Sequence, residues 1–294
     1  MLNEEKQALY QTHIQAAHPD FAIDTVELTT HGQNNDVLVV NGAFIFRFPK
    51  VTPALEQLRA ETAILTAIQG DITLDIPNPA FAHLDAPIGG AFMGYRRIPG
   101  APLWRDTFRA IDDEETLDAI AIQLATFLKE IHSVPAEEMI SIELPLADTR
   151  EECADIYARM REKLFPFMRP DAQKWTERHF ETFLGDPRNF DYEPALKHGD
   201  FGTSNILFDS ATQRVRGIID FGNAGLGDPA YDFAGLLSVY GESFLRRLAR
   251  SDPTILSFWD RIVFYQGTFA LLEALFGVEN DDPQAFESGI ARYV

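Results

Sequence analysis

Three side chains in the second half of the chain have types and spacing that could do chemistry. In His198-Gly199-Asp200-Phe201-Gly202-Thr203-Ser204-Asn205 a carboxylate stands five residues before a carboxamide, and the apolar run Ile206-Leu207-Phe208 follows. A second apolar run, Ile218-Ile219, ends in Asp220, fifteen residues after Asn205. Phosphoryl transfer asks little covalent work of a protein. It needs a carboxylate to orient or deprotonate the attacking hydroxyl, and hard oxygen ligands to hold magnesium on the phosphates. An Asp, an Asn and a second Asp on two adjacent hairpin strands can meet both needs. Asp and Gly also favour turns on their own account, so neither Asp-Phe-Gly, at 200–202 or at 220–222, says much alone. The combination at this spacing carries the reading. The two copies are not interchangeable, because only the first has the Asn at the required offset and only the second follows an apolar strand.

These segments resemble a known family. HGDFGTSN is similar to the catalytic loop H-x-D-x-x-x-x-N, and IIDFG to the metal-binding loop, of the protein-kinase-like aminoglycoside phosphotransferase superfamily. The likeness continues to Phe233, with Asp228-Pro229-Ala230-Tyr231-Asp232 matching the family's D-P-x-x-D, and extends more weakly from about Asp20 to Gly277. It implies that Asp200 is the catalytic acid, that Asn205 and Asp220 hold Mg2+, and that ATP or GTP is the phosphate donor. It also implies that His198 fixes the loop and that Asp228 and Asp232 brace it, with Asp228 also able to face substrate; His132, at the end of the helical run FLKEIH, reads as a core or cap residue.

The same resemblance assigns the nucleotide end. Arg47, in AFIFRFPK, stands where the family carries a cation against the phosphates, and Glu61, in LRAETAIL, is its helix partner. Arginine departs from the protein-kinase lysine but gives a fixed charge and a forked donor. Lys50 is the competing cation; strand alternation from Phe44 and Phe46 sends Arg47 and Lys50 to opposite faces. The turn from Thr30 to Asp36, with one glycine, matches the loop over the phosphates. Gly94-Tyr95-Arg96-Arg97-Ile98-Pro99-Gly100 matches the interlobe hinge. Backbone groups from Arg96 to Ile98 are expected on the purine edge. Tyr95 takes the gatekeeper position, where a bulky residue is associated with guanosine use in the 2''-phosphotransferase subgroup.

That subgroup is the closest in style, which implies a cationic aminoglycoside acceptor held near Asp200 by carboxylates of the C-terminal helices, and antibiotic resistance as the outcome. Glu273, in TFALLEALFG, matches an acidic position of the group, and Glu242 is a second candidate. The acidic run expected after D-P-x-x-D is replaced by Gly235-Leu236-Leu237-Ser238-Val239-Tyr240-Gly241. A macrolide, another less charged alcohol or a metabolite therefore stays open as acceptor, as does a nucleotide-binding module without transferase activity.

Elements must position these groups. Residues 21–28 and 36–40 read as strands flanking the polar turn 29–35, and Asn41-Gly42 is a two-residue hairpin signal returning into a strand at 43–48. Pro53 opens a helix to about residue 69, with Leu55, Leu58, Ile64, Leu65 and Ile68 near helical spacing. Residues 91–98 form a further strand. Beyond it the pattern turns helical, at 114–132 and from 148 to about 164, where Pro166 stops the helix. The chemistry-bearing segments at 195–208 and 215–227 follow, and helices resume from Tyr231. The fold class is α+β, and with the resemblance a bilobal protein-kinase-like fold. An N-terminal antiparallel sheet with one helix, residues 1–98, would be the nucleotide-binding lobe. A larger, mainly helical lobe, residues 99–294, would carry the catalytic loop, metal site and acceptor pocket, with the ligand cleft at the junction.

Composition closes off other classes. The 294-residue chain is 46% hydrophobic and 24% charged, the balance of an ordinary globular protein. Its 45 acidic against 25 basic residues give a net charge of −20. Such a surface repels a phosphate polymer, so nucleic acid is not an expected partner, and it attracts a polycationic small molecule. The apolar stretch 119–128 is bounded by Asp118 and Lys129 well short of a bilayer's thickness, so no membrane partner is expected. MLNEEKQALYQ has no apolar core of a secretory signal. Cys153 is the single cysteine, which excludes an internal disulfide and a Cys-rich zinc site. A cytoplasmic location is expected.

Overall fold

Strands β2 (Asn35–Val40) and β3 (Phe44–Pro49) pair antiparallel around Asn41-Gly42, with Val40 opposite Phe44 and Leu38 opposite Phe46. Both turn residues lie in the left-handed region, at φ 53° and 63°, as a two-residue hairpin turn of this type requires. In the computed structural model, which describes residues 3–30, 32–146 and 148–294, this hairpin is the centre of a five-stranded antiparallel sheet. Its order is β1-β2-β3-β5-β4, with β1 at Val26–Thr29, β4 at Phe81–His83 and β5 at Phe92–Arg96. The strand expected at 21–28 is confined to its C-terminal half. The side chain of Asn41 explains this: Oδ1 accepts from the backbone N–H groups of Asp24 and Thr25, and Nδ2 donates to the Ala22 carbonyl. Those backbone groups are thereby drawn away from a ladder.

Two helices, not one, accompany the sheet. Helix α1 (Asn3–Ala17) buries only Tyr10 and Ile14, too few apolar positions to form a visible stripe. It is docked by specific contacts instead. Tyr10 stacks on Phe48 with 3.9 Å between ring centroids, and its hydroxyl donates to buried Asp36 at 2.7 Å, while Lys6 reaches the same oxygen at 2.9 Å. Helix α2 (Thr52–Ile68) follows β3, with Pro53 in its first turn and Leu55, Leu58, Ile64, Leu65 and Ile68 buried, as the spacing predicts. Glu61 is buried on the same helix.

After β5 the chain leaves the sheet. Strand β6 (Ala101–Pro102) pairs with β8 (Ile206–Asp209), which forms a hairpin with β9 (Arg214–Ile218). A second pair joins β7 (Ala195–Lys197) to β10 (Gly225–Gly227). Around these lie α3 (Arg105–Arg109), α4 (Glu114–His132), α5 (Ala136–Ser141), α6 (Thr149–Lys163) and α7 (Pro170–Gly185). They are followed by α8 (Ala230–Tyr240), α9 (Glu242–Leu248), α10 (Trp259–Glu279) and α11 (Pro283–Ile290). The Asp148 side chain accepts from the backbone N–H groups of Arg150 and Glu151 and so caps α6.

One face of the sheet forms a small core of Tyr10, Ile14, Leu38, Val40, Phe46, Phe48 and Phe92. The other face, through Met93 and Tyr95, joins α2 and the C-terminal helices in a single larger core. The stretch Pro253–Glu279 is longer than 119–128, and by length and composition alone could cross a membrane. Here it packs on α8 and α11, and its Arg261 pairs with the buried carboxylate of Asp228 at 2.8 Å.

Candidate active site

The loop after β7 is shaped by one buried acid on α8. Both carboxylate oxygens of Asp232 accept backbone N–H groups, from His198 and from Gly199, each at 2.9 Å, and His132 Nε2 lies 2.9 Å from one of them. Burial alone would raise the Asp232 pKa, but these donors and the His132 ring hold it below the usual carboxylate value. Gly199 has φ 79°, and a Cβ there would stand 2.1 Å from the Asn223 carbonyl oxygen, so only glycine fits. The Asp200 N–H donates to His198 Nδ1 at 3.3 Å, and His198 Nε2 lies 3.1 Å from the Ile219 carbonyl. With Nδ1 accepting, Nε2 carries the hydrogen and the ring is neutral. Burial lowers its pKa further below 6.5. His198 thus ties the loop of Asp200 to the strand end before Asp220.

Asn205 makes the second tie. Its Nδ2 donates to the Asp200 carbonyl at 2.8 Å and to Asp200 Oδ2 at 3.0 Å, and its own carbonyl accepts from Ile219 N–H at 2.9 Å. Both amide hydrogens are thereby spent, and Oδ1 is left as the oxygen free to act as a ligand. Asp220 sits half-exposed in the left-handed region at φ 66°, a conformation that costs energy for any residue but glycine and concentrates at functional sites.

Across the cleft, Arg47 on β3 donates to Glu61 Oε1 at 2.6 Å and to Asp220 Oδ1 at 3.2 Å. Glu61 Oε1 also accepts from Phe221 N–H at 3.2 Å. Burial raises the Glu61 pKa, with Arg47 acting against it. Lys50 lies on the opposite face, as alternation predicts. Its ammonium donates to the carbonyls of Thr30 at 2.8 Å and Gly32 at 2.5 Å and stands 3.3 Å from Asp36. It holds the turn over the cleft without lining it.

The cleft encloses about 590 Å³ between that turn, Arg47, Tyr95, Ile98, Asp200 and Asp220. Tyr95 is buried there, and burial pushes its pKa up to about 12, so it is a neutral phenol. Among the hinge positions, Arg96 lies in the ladder opposite Phe44, with an exposed side chain outside the cleft lining. The Arg97 N–H is spent on the Ala43 carbonyl. Ile98 lines the cleft, and among the described residues its backbone N–H and carbonyl have no hydrogen-bond partner.

No group of three or more His, Cys, Asp or Glu suited to a metal occurs among the described residues. The set on offer is one carboxylate and one carboxamide oxygen. That fits Mg2+, which takes few protein oxygens and completes its shell with water and phosphate, and does not fit zinc.

Residues 25–256 match the family model described as the phosphotransferase enzyme family. This chain belongs to that family. The phosphotransferase is 29% identical over 282 residues to the viomycin phosphotransferase of Streptomyces vinaceus, covering 92% of this chain and 94% of that protein. Among solved structures it superposes on the GDP and kanamycin complex of APH(2'')-IIIa with a TM-score of 0.88 and 27% identity, covering 96% of each chain. A macrolide 2'-phosphotransferase type I shares the fold at a TM-score of 0.79 and 18% identity.

Two expected acceptor residues are not brought to the cleft of this phosphotransferase. Glu242 begins α9 and is half-exposed in an ion pair with Arg246. Glu273 is exposed on α10, and neither lines the cleft that holds Asp200. One polar cleft residue escaped sequence reasoning, Gln57. Gln57 stands four residues before Glu61, on the same face of α2, and that spacing was the available signal.

Proposed function

We propose that the chain transfers the γ-phosphate of ATP or GTP to a hydroxyl of an aminoglycoside antibiotic, at a 2''-type position, and so confers resistance. The observation that carries this reading is the convergence of Asp200, Asp220 and Arg47 on one cleft, with buried Asn205 bonded to Asp200 and buried Glu61 to Arg47 behind it. Asn205 fixes one carboxylate oxygen of Asp200, and the other takes the proton of the acceptor hydroxyl. The hydroxyl oxygen bonds to the γ-phosphorus as the β–γ bridging bond breaks, and the nucleoside diphosphate leaves. Asn205 Oδ1 and Asp220 would hold Mg2+, which when bound neutralises charge on the phosphates. Arg47, kept in place by Glu61, presents its guanidinium to those phosphates. The free backbone of Ile98 receives the purine edge, with Tyr95 behind it. Residues 1–98 are the nucleotide-binding lobe and 99–294 carry catalysis and acceptor, working in the cytoplasm, where nucleoside triphosphates are supplied. The GDP and kanamycin complex of APH(2'')-IIIa and the viomycin phosphotransferase of Streptomyces vinaceus support the donor and the antibiotic acceptor.

The replacement of the acidic run after D-P-x-x-D by residues 235–241 favours a second reading, a less cationic alcohol such as a macrolide. A chamber of about 490 Å³ at the C-terminal end of α8 is lined by Arg105, Arg109 and Arg292, beside Phe108 and Phe269, with no carboxylate among its described lining residues. A polycation has no partner there. The test is label transfer from γ-labelled ATP and GTP, with Mg2+, to kanamycin, viomycin and a macrolide, with phosphorus NMR of the product. Phosphokanamycin modified at a 2''-hydroxyl is the expected result. Transfer to the macrolide alone selects the second reading, and transfer to no alcohol would sink both.

A further inference from the structure

The turn over the cleft has one glycine, so backbone plasticity does not explain how it meets phosphates. Side chains hold it. Gln57, on α2, places its Oε1 to accept from Asn34 Nδ2 at 3.0 Å. Its Nε2 donates to the Gly222 carbonyl at 2.7 Å and to Asn223 Oδ1 at 3.3 Å. The one acceptor and two donor hydrogens of the amide are all used, one on the turn above the cleft and two on the turn that carries Asp220. Gly222 permits the approach, since a Cβ there would lie 3.1 Å from Gln57 Nε2.

We propose that Gln57 is a positioning residue for phosphoryl transfer, holding the phosphate-covering turn and the metal-bearing turn in register across the cleft. The other links at this end are charged: Arg47 to Asp220, and Arg47 and the Phe221 N–H to Glu61. Asp220 and Arg47 must exchange partners when Mg2+ and phosphates arrive. The Gln57 links are neutral and reach groups that bind neither, so they persist through that exchange. Gln57 and Glu61, one helical turn apart, give α2 two rungs on the same short turn, Phe221–Asn223.

This inference rests on the phosphate-end reading above, and the test separates the two. Amide hydrogen exchange of the unliganded full chain is measured at residues 32–36 and 221–224 for wild type, Gln57→Ala, Gln57→Glu and Asn34→Ala, with α10 as internal control. Faster exchange in both windows is expected for Gln57→Ala, and in the first window only for Asn34→Ala, with α10 unchanged. Binding of mant-GTP is then measured with Mg2+ and with EDTA. Gln57→Ala should raise the Kd with Mg2+ roughly three- to tenfold, the scale of one or two net hydrogen bonds. Gln57→Glu should raise it further, because its carboxylate faces two acceptors, Gly222 O and Asn223 Oδ1. The acceptor KM should stay within about twofold, as a packing defect alone would not ensure. Unchanged exchange in both windows overturns the clamp, and altered exchange with unchanged mant-GTP affinity overturns its role in transfer. If wild type bound no nucleotide, the exchange data would still decide the clamp while the phosphate-end reading fell. Asn34 is exposed, so its variant keeps the test alive should Gln57→Ala fold poorly.

Discussion

Asp220 does two things at once: it ends an apolar strand in a left-handed conformation and offers one oxygen to Arg47 and another to the cleft. Asp220→Asn keeps the shape and removes the charge. Binding of the Mg2+ nucleotide should weaken by about 1.5–3 kcal/mol, the scale of charge-assisted hydrogen bonds, read as a raised Mg2+ requirement. Asp200→Ala should instead leave nucleotide affinity intact and lower kcat by about 10²–10⁴-fold, the usual weight of a general base. Single-turnover transfer checks it. His198 supplies a pH test. It is neutral in the fold, its pKa pushed below 6.5 by burial, and takes a proton near 6.5 when unfolded. The unfolded state therefore binds more protons in the window below 6.5, so stability rises with pH through that window and levels above it. His179, also depressed by burial, adds the same sign. Subtracting the urea-unfolding curve of His198→Gln should isolate a slope of at most about 1.4 kcal/mol per pH unit; no difference would mean a charged His198 in the fold. The Asp200, Asn205 and Asp220 set was legible because short-range spacing encodes it. Gln57 was not, since Gly222 and Asn223 lie 165 and 166 residues away in sequence, and its spacing from Glu61 gives its face of α2 but not that it bridges two turns.

Among the elements, α8 positions the catalytic loop from below. Asp232 in its first turn receives the loop's N–H groups, and Gly235, one turn on, lets the helix close on Phe201. A Cβ on Gly235 would meet the Phe201 carbonyl oxygen at 2.4 Å. The Gly235 that opens the substituted run after D-P-x-x-D thus has a packing reason. Gly235→Ala should cost about 1–3 kcal/mol, as overpacking typically does, and lower kcat by displacing Asp200. Thermal unfolding and kcat measured together check this, and loss of neither would show that the helix shifts freely. Helices with a continuous apolar face, α2 and α4, were readable at nearly their full length. Helix α1 was not, because its attachment is a stacked tyrosine and a half-buried ion pair to Asp36, neither of which leaves a periodic trace. Strand β1 was overextended because its apolar pattern does not show that Asn41, from the next hairpin, captures the backbone before it.

For the molecule as a whole, the net charge of −20 and the arginine-lined chamber pull the acceptor question in opposite directions. Ionic strength separates them. Were the acceptor a polycation drawn to the acidic surface, its KM should climb steeply as salt shortens the screening length from about 30 Å at 0.01 M to about 8 Å at 0.15 M. A macrolide acceptor should show a nearly flat response in the same steady-state assay.

The hinge has a bearing on how such an enzyme could be outrun by inhibitors. If Ile98 receives the purine edge as proposed, it does so through its peptide N–H and carbonyl, a pair that every residue but proline supplies. A compound anchored on that pair gives the gene no side chain there to mutate away. Escape would have to come from Tyr95, whose ring shapes the wall behind, and each change at that buried position would also disturb the core it shares with α2.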